Sequence, residues 1–395
     1  MDGFCAMEGL PPPLRESVVV VDATSIVAAE PERFRSANPE LFALVLGLGD
    51  PAQAAQSGSV APRERITILA GSAGRSLTPV FTGCAPSVNE QEIQERRAAG
   101  EDGSLERYFG RDIASAVHEA QDDFRRQLLV SLMQMAKMSQ PPVASTGNFA
   151  SSPFAQILKL VGRPPTDDAP LRRLFVFTDL AGSLPGGLAE RKPAREAGFA
   201  AASQAQLNLG RADVYLIPAR GTLDEPSQQF LKAFLLGSSG NLLAAGSFTP
   251  NGMLPAPKSI EAYRGELPAA PQIRMPLEIR LATGPSNELI GSWVTYTGSF
   301  GQRSTPLLGQ YQCSTAGNCL LRSDPRGGLG QLWSPAGSNE PEPLPDGPFG
   351  GLRYLEARGA GGILRGRIYD PVIFLGEAGD LKFEVRRAWT RRTGR

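Results

Sequence analysis

A few oxygen-bearing side chains stand at the ends of apolar runs, the places where an open α/β sheet presents its ligand-binding edge. Asp22 and Thr24 follow the apolar run Val18-Val19-Val20-Val21, Ser151 and Ser152 precede Pro153 at the start of an apolar segment, and Asp179 closes the run Leu174-Phe175-Val176-Phe177-Thr178. Other chemistry is thinly supplied. His118 is the only histidine. That excludes a paired-histidine metal site, and no Ser or Cys partner for His118 is legible nearby, so it reads as a solvent-side or partly packed residue. The sequence has no phosphate-cradling Gly-x-x-x-x-Gly-Lys-Ser/Thr, no Gly-x-Ser-x-Gly elbow and no His-Glu-x-x-His. Gly71-Ser72-Ala73-Gly74 follows an apolar run but lacks the lysine, and reads as a turn.

Four cysteines form the second group. Cys313 and Cys319 flank the Gly/Ser/Thr/Asn segment Ser314–Asn318, a spacing that closes a small disulfide loop or leaves two free thiols, and that fits no common zinc pattern. Cys5 and Cys84 are the remaining pair. Two bridges would place the protein outside the reducing cytosol. Residues Met1–Pro13 lack the charged and apolar regions of a signal peptide, so the expected export signal lies outside this chain.

These residues need elements to hold them. The chain has 395 residues with 40 basic and 40 acidic side chains, room for two domains and a sizeable core. The first 245 residues carry a small acidic excess and the remainder an equal basic one. Zero net charge argues against a dedicated nucleic-acid binder. No apolar run approaches the length of a membrane helix. Continuous β-branched runs at Ser17–Asp22, Arg65–Ala70, Arg172–Asp179 and Asp213–Pro218 read as buried parallel strands, the last of them being the final one. Thr78–Phe81 is a third short apolar piece. Helical patterns fall at Pro39–Leu46, Leu105–Met138, from Ser151 through Leu160, Ala189–Leu207 and Ser227–Leu236. In the second of these, Phe109, Ile113, Ala116, Ala120, Phe124, Leu128, Leu132 and Met135 make one apolar stripe, and Met133, Met135 and Met138 read as core filler. Ser152 before Pro153 is also a good helix N-cap. Strands alternating with helices imply an α/β fold, a Rossmann-like open and mostly parallel sheet with helices on both faces.

The texture changes near Phe248. Residues 249–276 are rich in Pro, Ala and Gly and read as a connection. Beyond them, short alternating runs such as Leu277–Leu281, Trp293–Tyr296, Gly309–Gln312, Gly351–Leu355, Ile363–Tyr369 and Leu381–Val385 imply a mainly antiparallel C-terminal β-barrel domain. The basic tail Arg386–Arg395 reads as a frayed end. The expected division is an N-terminal extension (1–14), the α/β domain (15–248, with a helical insertion at about 88–150), a linker (249–276) and the barrel (277–395).

Val-Val-Val-Val-Asp22-Ala-Thr24-Ser25 and Phe177-Thr178-Asp179-Leu180, in this strand order, resemble the von Willebrand factor A (vWA) domain. The resemblance spans about residues 15–245 and is closest to a bacterial envelope variant, through Cys84-Ala85-Pro86 and Ser151-Ser152-Pro153. It implies a metal-ion-dependent adhesion site in which Asp22 is the first Asp, Thr24 the first hydroxyl, Ser151 or Ser152 the later Thr, and Asp179 the final Asp. Ile26 stands where the family has a second Ser. The motif is therefore degenerate: it holds Mg²⁺, or it is vestigial and Asp22 and Asp179 cap neighbouring helix N-termini. Family members complete the ion's shell with an acidic group of a protein partner, and the envelope variants are tethered by one N-terminal helix, the only membrane link expected. More weakly, Gly291-Ser292-Trp293 and Gly366–Pro371 resemble small calycin (lipocalin-like) barrels, which often hold an apolar molecule in the barrel mouth. Trp293, Tyr296, Tyr354, Tyr369, Phe383 and Trp389 then line such a pocket or simply fill the barrel. The resulting expectation is a non-enzymatic, periplasmic or extracytoplasmic envelope protein that binds a protein partner at the carboxyl ends of its parallel strands, with no nucleic acid. The alternative is carriage of an apolar small molecule by the barrel.

Overall fold

A computed structural model of the chain describes residues 13–24, 60–61, 63–71, 76–86, 113–135, 148–164, 166, 169–180, 184–185, 188, 190–218, 223–246, 255–270, 273–298, 301–323, 354–370 and 380–392. The helix expected at Pro39–Leu46 and the turn at Ser72–Gly74 lie outside the described residues.

The first sheet contains β1 (Arg15–Asp22), β2 (Arg65–Gly71), β3 (Thr78–Cys84), β4 (Leu171–Thr178), β5 (Ala212–Pro218) and β6 (Gly240–Ala245), in the spatial order β3-β2-β1-β4-β5-β6. All neighbours are parallel except β2 and β3. β6 is a strand beyond the one expected to be last. Its sequence, Gly240-Asn-Leu-Leu-Ala-Ala245, has no β-branched residue to announce it. Among the described residues four helices accompany the sheet: α1 (Ile113–Met135), α2 (Pro153–Val161), α3 (Arg191–Ala205) and α4 (Glu225–Gly237).

Side chains alternate across the strands, so each parity builds one core layer. Val20, Leu174, Val176, Val214 and Leu216 pack with Phe154 of α2 and with Phe230 and Phe234 of α4. Val19, Val21, Phe175, Tyr215 and Ile217 face the other way, where Phe124 and Leu128 of α1 join the layer and Phe124 meets Phe81 edge-on at 5.3 Å. The helices thus lie on both faces. α3 and α4 approach so closely that a Cβ on Gly198 would stand 2.3 Å from the Phe230 carbonyl oxygen. On α1 the outcome is mixed: Phe124 and Leu128 are buried as the stripe predicts, but Met133 is exposed rather than core filler, as are Leu129 and Val130.

The second sheet has nine antiparallel strands, β7 (Ser259–Ala270), β8 (Ile273–Thr283), β9 (Ser292–Gly298), β10 (Gly301–Leu307), β11 (Gly309–Cys313), β12 (Cys319–Ser323), β13 (Tyr354–Ala360), β14 (Ile363–Tyr369) and β15 (Asp380–Arg392). Their order is β10-β9-β8-β7-β15-β14-β13-β12-β11. Backbone bonds from Leu289 N to Gly309 O (2.9 Å) and from Tyr311 N to Asn287 O (3.0 Å) bring β11 to the β8–β9 turn, so the barrel is nearly closed. Two expectations change here. Residues 249–276 are not merely a connection, since β7 and the start of β8 fall within them; the prolines that suggested a linker include Pro268 and Pro276, tolerated beside the hairpin and at its pairing. The basic tail is not frayed, because β15 runs to Arg392 between β7 and β14.

Candidate functional site

In an open parallel sheet, ligands bind outside the carboxyl ends of the strands, at the point where the strand order reverses. Here that point lies between β1 and β4, the central pair from which the order runs outward to β3 and to β6. β1 ends in Asp22 and β4 in Thr178. Val21 pairs with Phe177 in the parallel register, so the next residues, Asp22 and Thr178, lie side by side. Asp22, Thr178 and Thr24 are all buried. The Thr24 backbone N–H and hydroxyl both donate to Asp22 Oδ1, at 3.0 and 2.7 Å. The Thr178 hydroxyl stands 3.4 Å from Asp22 Oδ2, at the long limit of a hydrogen bond.

Thr178 belongs to the strand-end motif but is not among the ligands that the vWA resemblance implies. Strand alternation is the signal that favours it: Thr178 shares the parity of Asp22 across the pairing, whereas Asp179 follows one residue later and is half-buried. Ser152 is fully buried, and its side chain accepts from Ala155 N at 3.3 Å as the N-cap of α2. The Ser151 hydroxyl donates to Asn148 O at 3.0 Å. The Arg172 guanidinium donates to Val161 O, which anchors the far end of α2 at the start of β4 and leaves its N-terminus directed toward the strand ends. Ser25 and Ile26 lie outside the described residues.

The donor set about Asp22 is entirely oxygen, which fits Mg²⁺ better than zinc. The fit is partial. Both Asp22 oxygens are already engaged by threonine donors, so an ion must displace these bonds or take up the hydroxyls as ligands. Among the described residues no three His, Cys, Asp or Glu side chains converge on a possible metal position.

The opposite edge of the same strands is chemically distinct. Glu64, completely buried just before β2, receives Arg15 Nε at 3.0 Å and Arg173 at 2.6 Å, together with the Ser17 hydroxyl and Ala61 N at 2.7 Å. Burial alone would raise its pKa, but Arg15, Arg173 and these hydrogen bonds hold it down at about 2. Asp213, at the start of β5, is buried and bonded by Asn241 at 3.1 Å. Burial pushes it up to about 6 despite Asn241 and the two arginines. The barrel seals this edge. Arg15 donates to Pro255 O at 2.9 Å, Arg211 pairs with Glu278 at 2.5 Å, and Arg280 bonds Ala169 O. Leu14 and Leu171 pack with Ile260, Ala282 and Ile290 of the barrel. Gly291, with φ of +57°, leaves space that a Cβ would fill at 3.2 Å from Leu171 and 3.3 Å from Asp213.

The aromatic residues named for a barrel pocket are not placed together. Tyr296 and Phe383 lie in the packed apolar interior with Tyr263, Leu277, Ile279 and Val385, and the Tyr296 hydroxyl donates to buried Asp370. Trp293 lies on the opposite face of β9 from Tyr296, buried beside Arg280 across the pairing. Tyr369 is half-buried, and the Tyr354 side chain is outside the described ones. Trp389 packs against the inter-domain cluster, 5.6 Å from the Arg280 guanidinium. Inside the barrel, Glu261 accepts from Tyr263 at 2.5 Å and from Tyr311 at 3.2 Å, a polar triad that the sequence does not announce because Tyr311 lies 50 residues from Glu261. Burial, followed by these hydrogen bonds, keeps Tyr263 far above its ordinary pKa.

Cys313 and Cys319 form a disulfide across the β11–β12 hairpin. Cys84 is also disulfide-bonded; Cys5, its expected partner, lies outside the described residues. No helix among the described residues is long and apolar enough to cross a membrane. No protein-family model matches the chain, and no curated protein matches it.

Proposed function

We propose that the chain is a non-enzymatic protein-binding or assembly module of the bacterial cell envelope, with a vWA-like first domain that engages a protein partner at the carboxyl edge of its parallel sheet. The observation that carries this reading is the side-by-side placement of Asp22 and Thr178 at the point where the strand order reverses, with Thr24 completing the cluster. The strand order and the antiparallel β3 support the vWA likeness, and the disulfides support an oxidising location. The barrel would act as an accessory module docked on the opposite edge, with its apolar interior occupied by its own side chains. Asp22, Thr24 and Thr178 would hold a Mg²⁺ ion, which would present a positive centre to an acidic group of the partner.

Two measurements test this. Titration calorimetry with Mg²⁺ and Mn²⁺ should give heat that disappears in Asp22→Ala; no heat, or heat unchanged in the variant, removes the metal from the proposal. A photocrosslinking residue at position 179 should capture a discrete product in the envelope fraction, while one at exposed Leu160 on α2 should not. Equal capture at both positions, or none at 179, rejects the partner site.

A further inference from the structure

The outer face of β7, β8, β14 and β15 has two halves. Alternation sends Ile260, Ala282 and Trp389 outward on one half, where they meet the α/β domain. On the other half the same alternation sends outward Arg264, Arg274, Arg365, Arg367, Lys382 and Arg386, which surround a solvent-open pocket of about 670 Å³. Two carboxylates, Glu266 and Glu384, also line it. The lining therefore has six cations and two anions, and Arg264 is also paired with Glu278 from outside it.

The carboxylates arrange the cations more than they neutralise them. Glu384 accepts from Arg365 at 2.8 Å and lies 3.9 Å from Arg386, so one carboxylate holds two guanidinium groups on the same side of β15. Glu266 is 3.8 Å from Arg274, too far for a direct hydrogen bond. Arg264 is turned by Glu278, which also binds Arg211 of the α/β domain, so this wall of the pocket is fixed to the domain junction. Lys382 has no carboxylate at ion-pair distance among the described residues. Guanidinium groups are planar forks that match phosphate oxygens two at a time, and their charge persists at any physiological pH. A single carboxylate would leave most of this charge unbalanced, whereas several linked phosphate groups would match it.

We propose that this groove is a binding site for a polyphosphorylated ligand, with Arg365, Lys382 and Arg386 as the principal contacts. It is independent of the carboxyl-edge site and stands or falls separately from the partner-binding reading. The chemistry is that of clustered phosphate groups, either on a free molecule or displayed as lipid headgroups.

Calorimetry on the full chain with tripolyphosphate, at low and then raised salt, tests it, with vesicles of phosphatidylglycerol and of phosphatidylcholine in a parallel sedimentation assay. Saturable one-site binding is expected, weakened about tenfold by salt because the groups are exposed and screened. The double variant Lys382→Gln/Arg386→Gln should lose about tenfold in affinity. Arg322→Gln, on β12 outside the groove and two-thirds exposed, should not. Circular dichroism should be unchanged in both, since these side chains project into solvent. Sedimentation with phosphatidylglycerol alone, abolished by the groove variant, keeps the phosphate site and assigns the headgroup as its source. The proposal is overturned by the absence of binding in both assays, or by equal loss in the groove variant and in Arg322→Gln.

Discussion

At its amino edge the parallel sheet closes over Arg15, Ser17, Glu64, Arg173 and Asp213, all under a tenth exposed and covered by the barrel. At its carboxyl edge the same two central strands end in Asp22 and Thr178, with Thr24 alone completing the described cluster. Both edges place acids beside donors. They differ in what the acids hold. Glu64 is saturated by two guanidinium groups, a hydroxyl and a backbone N–H, so it has no capacity for a ligand. Among the described residues, Asp22 accepts from the neutral donors of Thr24 and stands near the Thr178 hydroxyl. The lesson is that burial does not distinguish a structural acid from a candidate ligand; the charge of its partners does. A carboxylate neutralised by two guanidinium groups within the fold, as Glu64 is, is architecture.

The largest effect should come from cutting the sealed edge. Glu64→Gln leaves Arg15 and Arg173 buried without their counter-charge, and should cost about 3–5 kcal/mol in urea unfolding. Asp22→Asn keeps an acceptor for Thr24 and should cost about 1 kcal/mol. Equal losses at the two positions would erase the distinction between the edges.

Titration gives the next effect, with opposite signs at two acids of one edge. Asp213 has a folded pKa of about 6, above its ordinary 3.8. The protonated form is favoured by folding, so its contribution is complete below pH ~4 and is lost as pH rises through ~6, about 3 kcal/mol in all. Glu64 is held at about 2, below its ordinary 4.5. Its contribution is present above pH ~4.5 and is lost as pH falls toward ~2. In Asp213→Asn the decline in stability between pH ~4 and ~7 should disappear while the acid limb remains. A variant that keeps the full decline would assign it to another group.

A smaller, steric effect tests the seal itself. Gly291→Ala places a methyl group against Leu171 and Asp213 on a backbone with positive φ, and should cost about 1–2 kcal/mol. The smallest concerns Thr178, whose hydroxyl sits at 3.4 Å from Asp22. Thr178→Val should change stability by only about 0.5 kcal/mol, yet weaken Mg²⁺ binding wherever Asp22→Ala abolishes it. A stability loss as large as that of Glu64→Gln would make Thr178 structural instead.

Legibility followed locality. Val18–Val21 and Leu174–Phe177 announce buried strands within one run of residues, and the alternation of Leu277–Leu281 announces the barrel. The Ser152 cap was readable from the proline beside it. Glu64 was not, because its partners lie 49 and 109 residues away and nothing local marks a charged residue at a strand start as buried. The same holds for Arg173, whose partners Ser17 and Glu64 lie 156 and 109 residues away. β7 was masked by prolines, and β15 by arginines that read as a solvated tail although Phe383 and Val385 are buried in the barrel and Trp389 packs at the domain junction. Thr178 needed only the pairing register of β1 and β4, which a single sequence does not supply.

The strand order of the barrel also governs when it can form. β7, the first of its strands to leave the ribosome, lies beside β15, the last. Eleven residue pairs of β7 and β8 can zip into a hairpin early, but the other flank of β7 stays an open template until the C-terminal segment is synthesised. The parallel sheet has no such wait, since its last strand ends at Ala245. A chain cut before residue 380 would therefore present a finished first domain attached to an unclosed row of backbone donors and acceptors, the state most prone to pair with another copy of itself.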